Sequence, residues 1–161
     1  MDKVSKRSDK IAFFGLTNNP SEYDRMRGFT EFTVNKNPVE YTRKYIDEQD
    51  ERNDIVSYAP SINYSFDKFS GDIVHTELVS IADNEKVGAD AVRQIVIVDL
   101  SGNGDLKNAT LREWTVVPDS EGKDVDTYTY SGTLKANGKL ITGKAISENG
   151  WKSCAFIRDD E

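Results

Sequence analysis

Ile62, Tyr64 and Phe66 alternate with Ser61, Asn63 and Ser65, a two-residue period that suits a strand with one buried face. What precedes this strand constrains the fold further. About twenty residues separate it from the turn signal Asn37-Pro38, and they mix aromatics with both signs of charge. A connection of that length without regular structure is either functional or disordered. Disorder fits poorly, because Val39, Tyr41, Tyr45, Ile46, Ile55 and Val56 are apolar groups that need a surface to bury against. Residues 37–58 are therefore expected to form an extended arm that packs on a neighbouring molecule. Such an arm would be mobile in the isolated chain and ordered on assembly.

The rest of the chain reads mostly as strands. Residues 10–17 (KIAFFGLT) and 29–35 (FTEFTVN) form the first two, with residues 1–10 before them as a mobile arm and 18–28 between them as a polar turn region. Ile73, Val74, Leu78, Ile81 and Ala82 recur at helical spacing, which predicts one helix from about 70 to 84 with Ser70 as its N-cap. The apolar run 92–100 (VRQIVIVDL) suits a strand covered on both faces. Residues 110–117 form the next strand, stopped by Pro118. Asn137-Gly138 and Asn149-Gly150 sit between apolar segments and predict two tight hairpin turns, the first of type I′. Residues 126–136, 139–147 and 151–158 would then be a three-stranded meander. The fold class is mainly β, a single domain over residues 1–161: an antiparallel sandwich or partly closed barrel with one flanking helix and a long early arm.

Composition narrows function mainly by exclusion. With 161 residues, 37% hydrophobic and 30% charged, the chain suits one globular domain. No apolar run approaches the ~20 residues that span a bilayer. The single cysteine, Cys154, cannot form an intramolecular disulfide and reads as a small buried residue. A net charge of −7 with a pI near 4.8 opposes ordinary nucleic-acid binding, which needs clustered Lys and Arg. An acidic surface would instead let a duplex slide past.

A search for chemistry finds no enzyme signature. His75, the only histidine, has no cysteine nearby and reads as a helix-surface or packing residue. Residues 101–105 (SGNGD) lack both the following GK[ST] of a phosphate loop and the distal Glu of a calcium loop, so a hairpin loop fits better. Asp119, Glu121, Asp124 and Asp126 read as a solvated acidic loop rather than a cation site. Trp114, Tyr128, Tyr130 and Trp151 could line a sugar-binding face, although aromatics on strands are first of all packing residues. No catalytic, cofactor-binding or metal-binding residue is assigned.

Four segments resemble the major tail tube protein of long, non-contractile-tailed bacteriophages. They are KNPVEYTRKYIDEQDERNDIVSYAPSINYSFD, EKVGADAVRQIVIVDL, REWTVVPDSEGKDVDTYTYSGTLKANGKLITGKA and NGWKSCAF, lying between about residues 29 and 157. The resemblance implies a virion protein, assembled in the host cytoplasm, whose rings, commonly hexameric, stack into a hollow tube for genome ejection. It implies self-association, tape-measure, tail-tip and terminator proteins as partners, and DNA passing through the lumen without specific binding. An inner sheet of neutral to negative charge and no membrane contact are expected with it. The early arm would then touch the adjoining ring, through Tyr41, Arg43, Lys44, Tyr45, Asp47, Glu48, Glu51, Arg52 and Asp54, whose mixed charges give that contact its registry. A related secretion or tailocin tube, and a monomeric carbohydrate-binding module, are the alternatives.

Overall fold

The structure, a computed structural model, describes residues 4–17 and 20–159. The first strands are β1 (Lys10–Phe14), β2 (Tyr23–Arg25), β3 (Phe29–Asn35), β4 (Pro38–Arg43), β5 (Arg52–Tyr58) and β6 (Ser61–Asp67). After the helix α1 (Ile73–Asp83) come β7 (Val92–Asp99), β8 (Lys107–Glu121), β9 (Thr129–Ala136), β10 (Ile141–Ile146) and β11 (Ser153–Arg158). Single 3₁₀ turns lie at Arg7–Asp9 and Gly88–Ala91. Strand makes up 51% and helix 12%, the mainly β class expected.

Nine strands join in one antiparallel sheet of order β10-β11-β2-β1-β7-β8-β9-β6-β3, and β10 also pairs with β8. That extra pairing closes β8, β7, β1, β2, β11 and β10 into a six-stranded barrel. The 15-residue β8 makes this possible. One edge of it pairs with β7, Asn108 against Asp99 through Thr115 against Val92. Its other edge takes β10 along residues 107–111 and β9 along 114–121. Beyond the barrel the sheet continues as β8, β9, β6 and β3.

Side-chain alternation sorts the core into two parts. Phe13, Tyr23, Val96, Val98, Ala109, Leu111, Ala145 and Cys154 fill the barrel, with at least one residue from each of its strands. On the opposite face of β1, β7 and β8, Phe14, Ile95, Trp114 and Val116 join Ile62, Tyr64, Phe66 and Leu134 beneath Val74, Leu78 and Ile81 of α1. Glu77 on the helix and Arg93 on β7 form an ion pair at 2.7 Å that ties the two layers together. His75 is fully buried in this second core. Its Nδ1 accepts from the Phe69 backbone N–H at 3.1 Å, its Nε2 lies 2.5 Å from the Arg27 carbonyl, and its ring stacks on Phe66. The packing reading of His75 therefore holds, and both ring nitrogens are satisfied.

Several expectations need correction. Residues 37–58 are not an unstructured arm, because β4 and β5 pair into a two-stranded sheet of their own. Of the mobile N-terminal arm, residues 1–3 lie outside the described residues. The segment after them is tied down: Arg7 donates to the Lys10 and Phe32 carbonyls, and Leu100 N–H to the Asp9 carbonyl. The turn region 18–28, whose residues 18–19 lie outside the described residues, contains the short strand β2. β8 runs through Pro118, where the ladder with β9 shifts register between Pro118 and Ser120; a missing N–H is tolerated at such an irregularity. Gly138 is absent from the glycines with positive φ, and β9 and β10 lie end to end along the same edge of β8 rather than pairing. There is no type I′ turn and no three-stranded meander. The second hairpin does form: β10 pairs with β11, and its loop carries Gly150 and Trp151 at φ 72° and 65°. Asn149 Oδ1 closes it by accepting from the Lys152 and Ser153 backbone N–H groups.

Candidate functional site

The hairpin of β4 and β5 forms a two-stranded sheet separate from the nine-stranded one. Almost every residue on both strands is exposed. Val39, Tyr41, Tyr45, Ile46, Ile55, Val56 and Tyr58 all present apolar surface to solvent. A two-stranded hairpin alone is marginal in water, so side-chain contacts across it are needed to hold its shape.

Those contacts come from the residues that the sequence singles out. Register places Tyr41 opposite Asp54 and Arg43 opposite Arg52, on one face of the hairpin. Arg43 pairs with Asp54 at 2.8 Å, donates from Nε to Tyr45 Oη at 2.6 Å and lies over the Tyr41 ring at 5.0 Å. The bond to Tyr45 holds the Arg43 guanidinium above its ordinary pKa. Arg52 pairs with Glu48 at 3.0 Å and lies over the Tyr45 ring at 5.5 Å. The structure thus gathers Tyr41, Arg43, Tyr45, Glu48, Arg52 and Asp54 into one cation–π and ion-pair cluster. It leaves Lys44, Asp47 and Glu51 exposed at the tip, with no ion pair among the described residues. On the opposite face Asn53 bridges Glu40 and Thr42.

Two further features escape a reading of the sequence, because both depend on long-range pairing. First, the sheet extension ends in two open edges. β3 pairs only with β6, and residues 117–121 of β8 pair only with β9. Each edge carries a register irregularity, at Phe29/Glu31 and at Pro118/Ser120, a device that discourages indiscriminate strand addition. Second, the face of this extension turned away from α1 is polar and nearly uncharged. Thr33, Asn63, Ser65, Ser120, Ser131 and Thr133 share it, with hydroxyl contacts such as Ser120 to Ser131 at 2.7 Å. The charged residues on the paired positions of this face are Glu31, Asp67 and Lys135.

The four aromatics that could form a sugar platform do not make one. Trp114 and Tyr130 lie in the core beneath α1, Trp151 packs on Phe13 at 6.1 Å, and Tyr128 is the exposed member. Cys154 is buried in the barrel, where desolvation, with Asp24 and Glu22 adding to it, pushes its thiol up to about 12. Among the described residues, no helix is long and apolar enough to cross a membrane.

No protein-family model matches the chain, and no curated protein matches it. Among solved structures, a chain of the anti-feeding prophage baseplate, determined by cryo-EM and six-fold symmetrised, is similar in outline. The TM-score is 0.49 at 9% identity, covering 88% of this chain and 97% of that one.

Proposed function

We propose that this chain is a structural subunit that joins copies of itself into stacked rings, forming the tail tube of a long-tailed bacteriophage through which DNA passes. The observation that carries the proposal is the hairpin of β4 and β5, which forms a sheet of its own and exposes seven large apolar side chains. Stable folds rarely hold out such a surface unless another molecule covers it. The edges of β3 and of residues 117–121, neither paired to a further strand among the described residues and the former held at Phe32 only by Arg7, support lateral joining. They bound opposite sides of one four-stranded extension, so an edge-to-edge contact is head-to-tail and can close into a ring. The segments that resemble siphovirus tail tube proteins include this hairpin, and that resemblance supplies the hexameric ring and the tape-measure, tail-tip and terminator partners. The polar face of Thr33, Asn63 and Ser131 is the side assigned to the lumen. Its two carboxylates against one lysine offer phosphate little to hold.

Electron microscopy and size-exclusion chromatography of the purified protein test this directly. Rings or tubes of uniform width are expected, and deletion of residues 40–56 should leave a folded β domain that no longer forms tubes. A wild-type chain that stays monomeric at high concentration even with a tail-tip nucleator, and binds glycans, would overturn the proposal.

A further inference from the structure

We infer that the groove beside β3 receives the hairpin tip of a second copy of this chain. The inference rests on the stacking reading above and supplies the missing half of that contact. The groove encloses about 1040 Å³ between the N-terminal segment, β3 and the barrel strands β7, β8 and β10. Its floor is partly apolar, with Phe32, Val34 and Leu140 contributing. Its rim carries five cations, Lys6, Arg7, Lys10, Lys36 and Lys144, against the three carboxylates of Asp9, Asp99 and Asp159. A local excess of two positive charges is unusual on a chain whose net charge is −7.

The hairpin tip is its complement in both respects. Residues 44–51 hold four acids, Asp47, Glu48, Asp50 and Glu51, against one base, Lys44, a net charge of −3. Ile46, fully exposed, stands at the tip beside Tyr45 and offers an apolar anchor. Glu48 is engaged by Arg52, but Asp47, Asp50 and Glu51 have no ion pair among the described residues. Opposite potentials around an apolar contact favour encounter and fix register.

The arrangement points to a second copy rather than the same chain. Lys36 on the groove rim lies two residues before β4, so the base of the hairpin abuts the groove. The six residues of β4 carry the tip about 20 Å away, at ~3.3 Å per residue. Each copy then gives a tip and takes one, the head-to-tail relation that builds an open stack.

The test mixes two full-length single variants, Ile46→Cys and Leu140→Cys, under mild oxidation, so that any 46–140 disulfide is intermolecular by construction. Cys154 does not compete, being buried with its thiol held protonated. The 46–140 link is expected to dominate over 46–46 and 140–140 links, and to weaken at 1 M salt, where screening contracts to about 3 Å. Reversing the tip (Asp47→Lys, Asp50→Lys, Glu51→Lys) or the groove (Lys6→Glu, Lys10→Glu, Lys36→Glu) should abolish the link, and combining the two reversed partners should restore it. Circular dichroism of each variant establishes that it folds. Absence of the 46–140 link, or a link indifferent to both reversals, overturns the inference. Tubes seen by microscopy without that link would remove this contact and leave the tube reading standing. The link without rings or tubes would do the opposite.

Discussion

Two glycines show how far a single residue's meaning depends on pairing that lies elsewhere in the chain. Gly138 follows Asn137 and carries the sequence signature of a tight turn, yet it is exposed, lacks a positive φ and has no atom closer than 3.7 Å to where a Cβ would stand. Gly143 carries no turn signal. A Cβ there would meet the Ile157 carbonyl oxygen at 2.1 Å, because Gly143 faces β11 on one side and β8 on the other at the seam that closes the barrel. Gly138→Ala should therefore change stability by less than about 1 kcal/mol, with a small gain from the restricted unfolded chain. Gly143→Ala should cost about 1–3 kcal/mol or more, because backbone cannot swing aside as a side chain can. Chemical denaturation of the two variants makes the comparison, and equal midpoints would refute the account of the seam. Cys154 was legible as a small buried residue from its type alone; the crowding at Gly143 was not, since no local pattern marks a strand that has two neighbours.

At the scale of elements, the strands β3 and β7 stand where their alternation or apolar run places them, to within a residue. Their burial is decided by their own side chains, so a local reading suffices. The helix is legible in type but not in its start. Gly71, at φ 87°, separates Ser70 from the helix, and the cap is Asp72, whose Oδ1 accepts from the Val74 and His75 N–H groups at 3.0 and 3.1 Å. Replacing Asp72 by Ala should cost about 1 kcal/mol in thermal or chemical unfolding, whereas Ser70→Ala should be close to neutral. A larger loss at Ser70 would contradict this assignment. The hairpin of β4 and β5 was legible as an exposed segment rich in aromatics and charge, and illegible as a strand pair. Its ladder joins mixed-charge residues with no apolar face, and only cross-strand contacts such as Arg43 to Asp54 reveal it. Of the nine arm residues, the six in the Arg43 cluster shape the hairpin itself, while Lys44, Asp47 and Glu51 stand exposed at its tip.

The molecule as a whole has two cores, and each buries an acid that titrates at alkaline pH. Tyr64 lies beneath α1, where desolvation, with a contribution from Asp119, raises its phenol from 10.0 to about 12. Cys154 lies in the barrel and is raised from 9.0 to about 12. Both groups hold their protons more tightly in the folded state. Their contribution to stability is thus complete below about pH 9 and is lost as pH rises towards 12. For Tyr64 this rise corresponds to roughly 2–3 kcal/mol. Unfolding free energy followed from pH 9 to 12 should fall steadily, and Tyr64→Phe should flatten the part of the slope above pH 10. A wild-type curve flat to pH 12 would contradict the burial of both groups. The class of the fold was open to a sequence reading because many short alternating segments imply a mainly β protein. Closure of the barrel was not, because it depends on Tyr23 pairing with Cys154 across nearly the whole chain.

That last pairing sets an order of events during synthesis. The hairpin joins neighbouring segments and can form as soon as residue 58 is available, whereas β2, already beside β1, finds its second partner only once β11 is made. The groove beside β3 draws Leu140, Lys144 and Asp159 from the final stretch of the chain. If the groove receives a tip as inferred above, a growing polypeptide would display its tip long before it has a place to receive one. On that inference, chains still short of β10 and β11 would lack the receiving groove and so could not yet lock into one another.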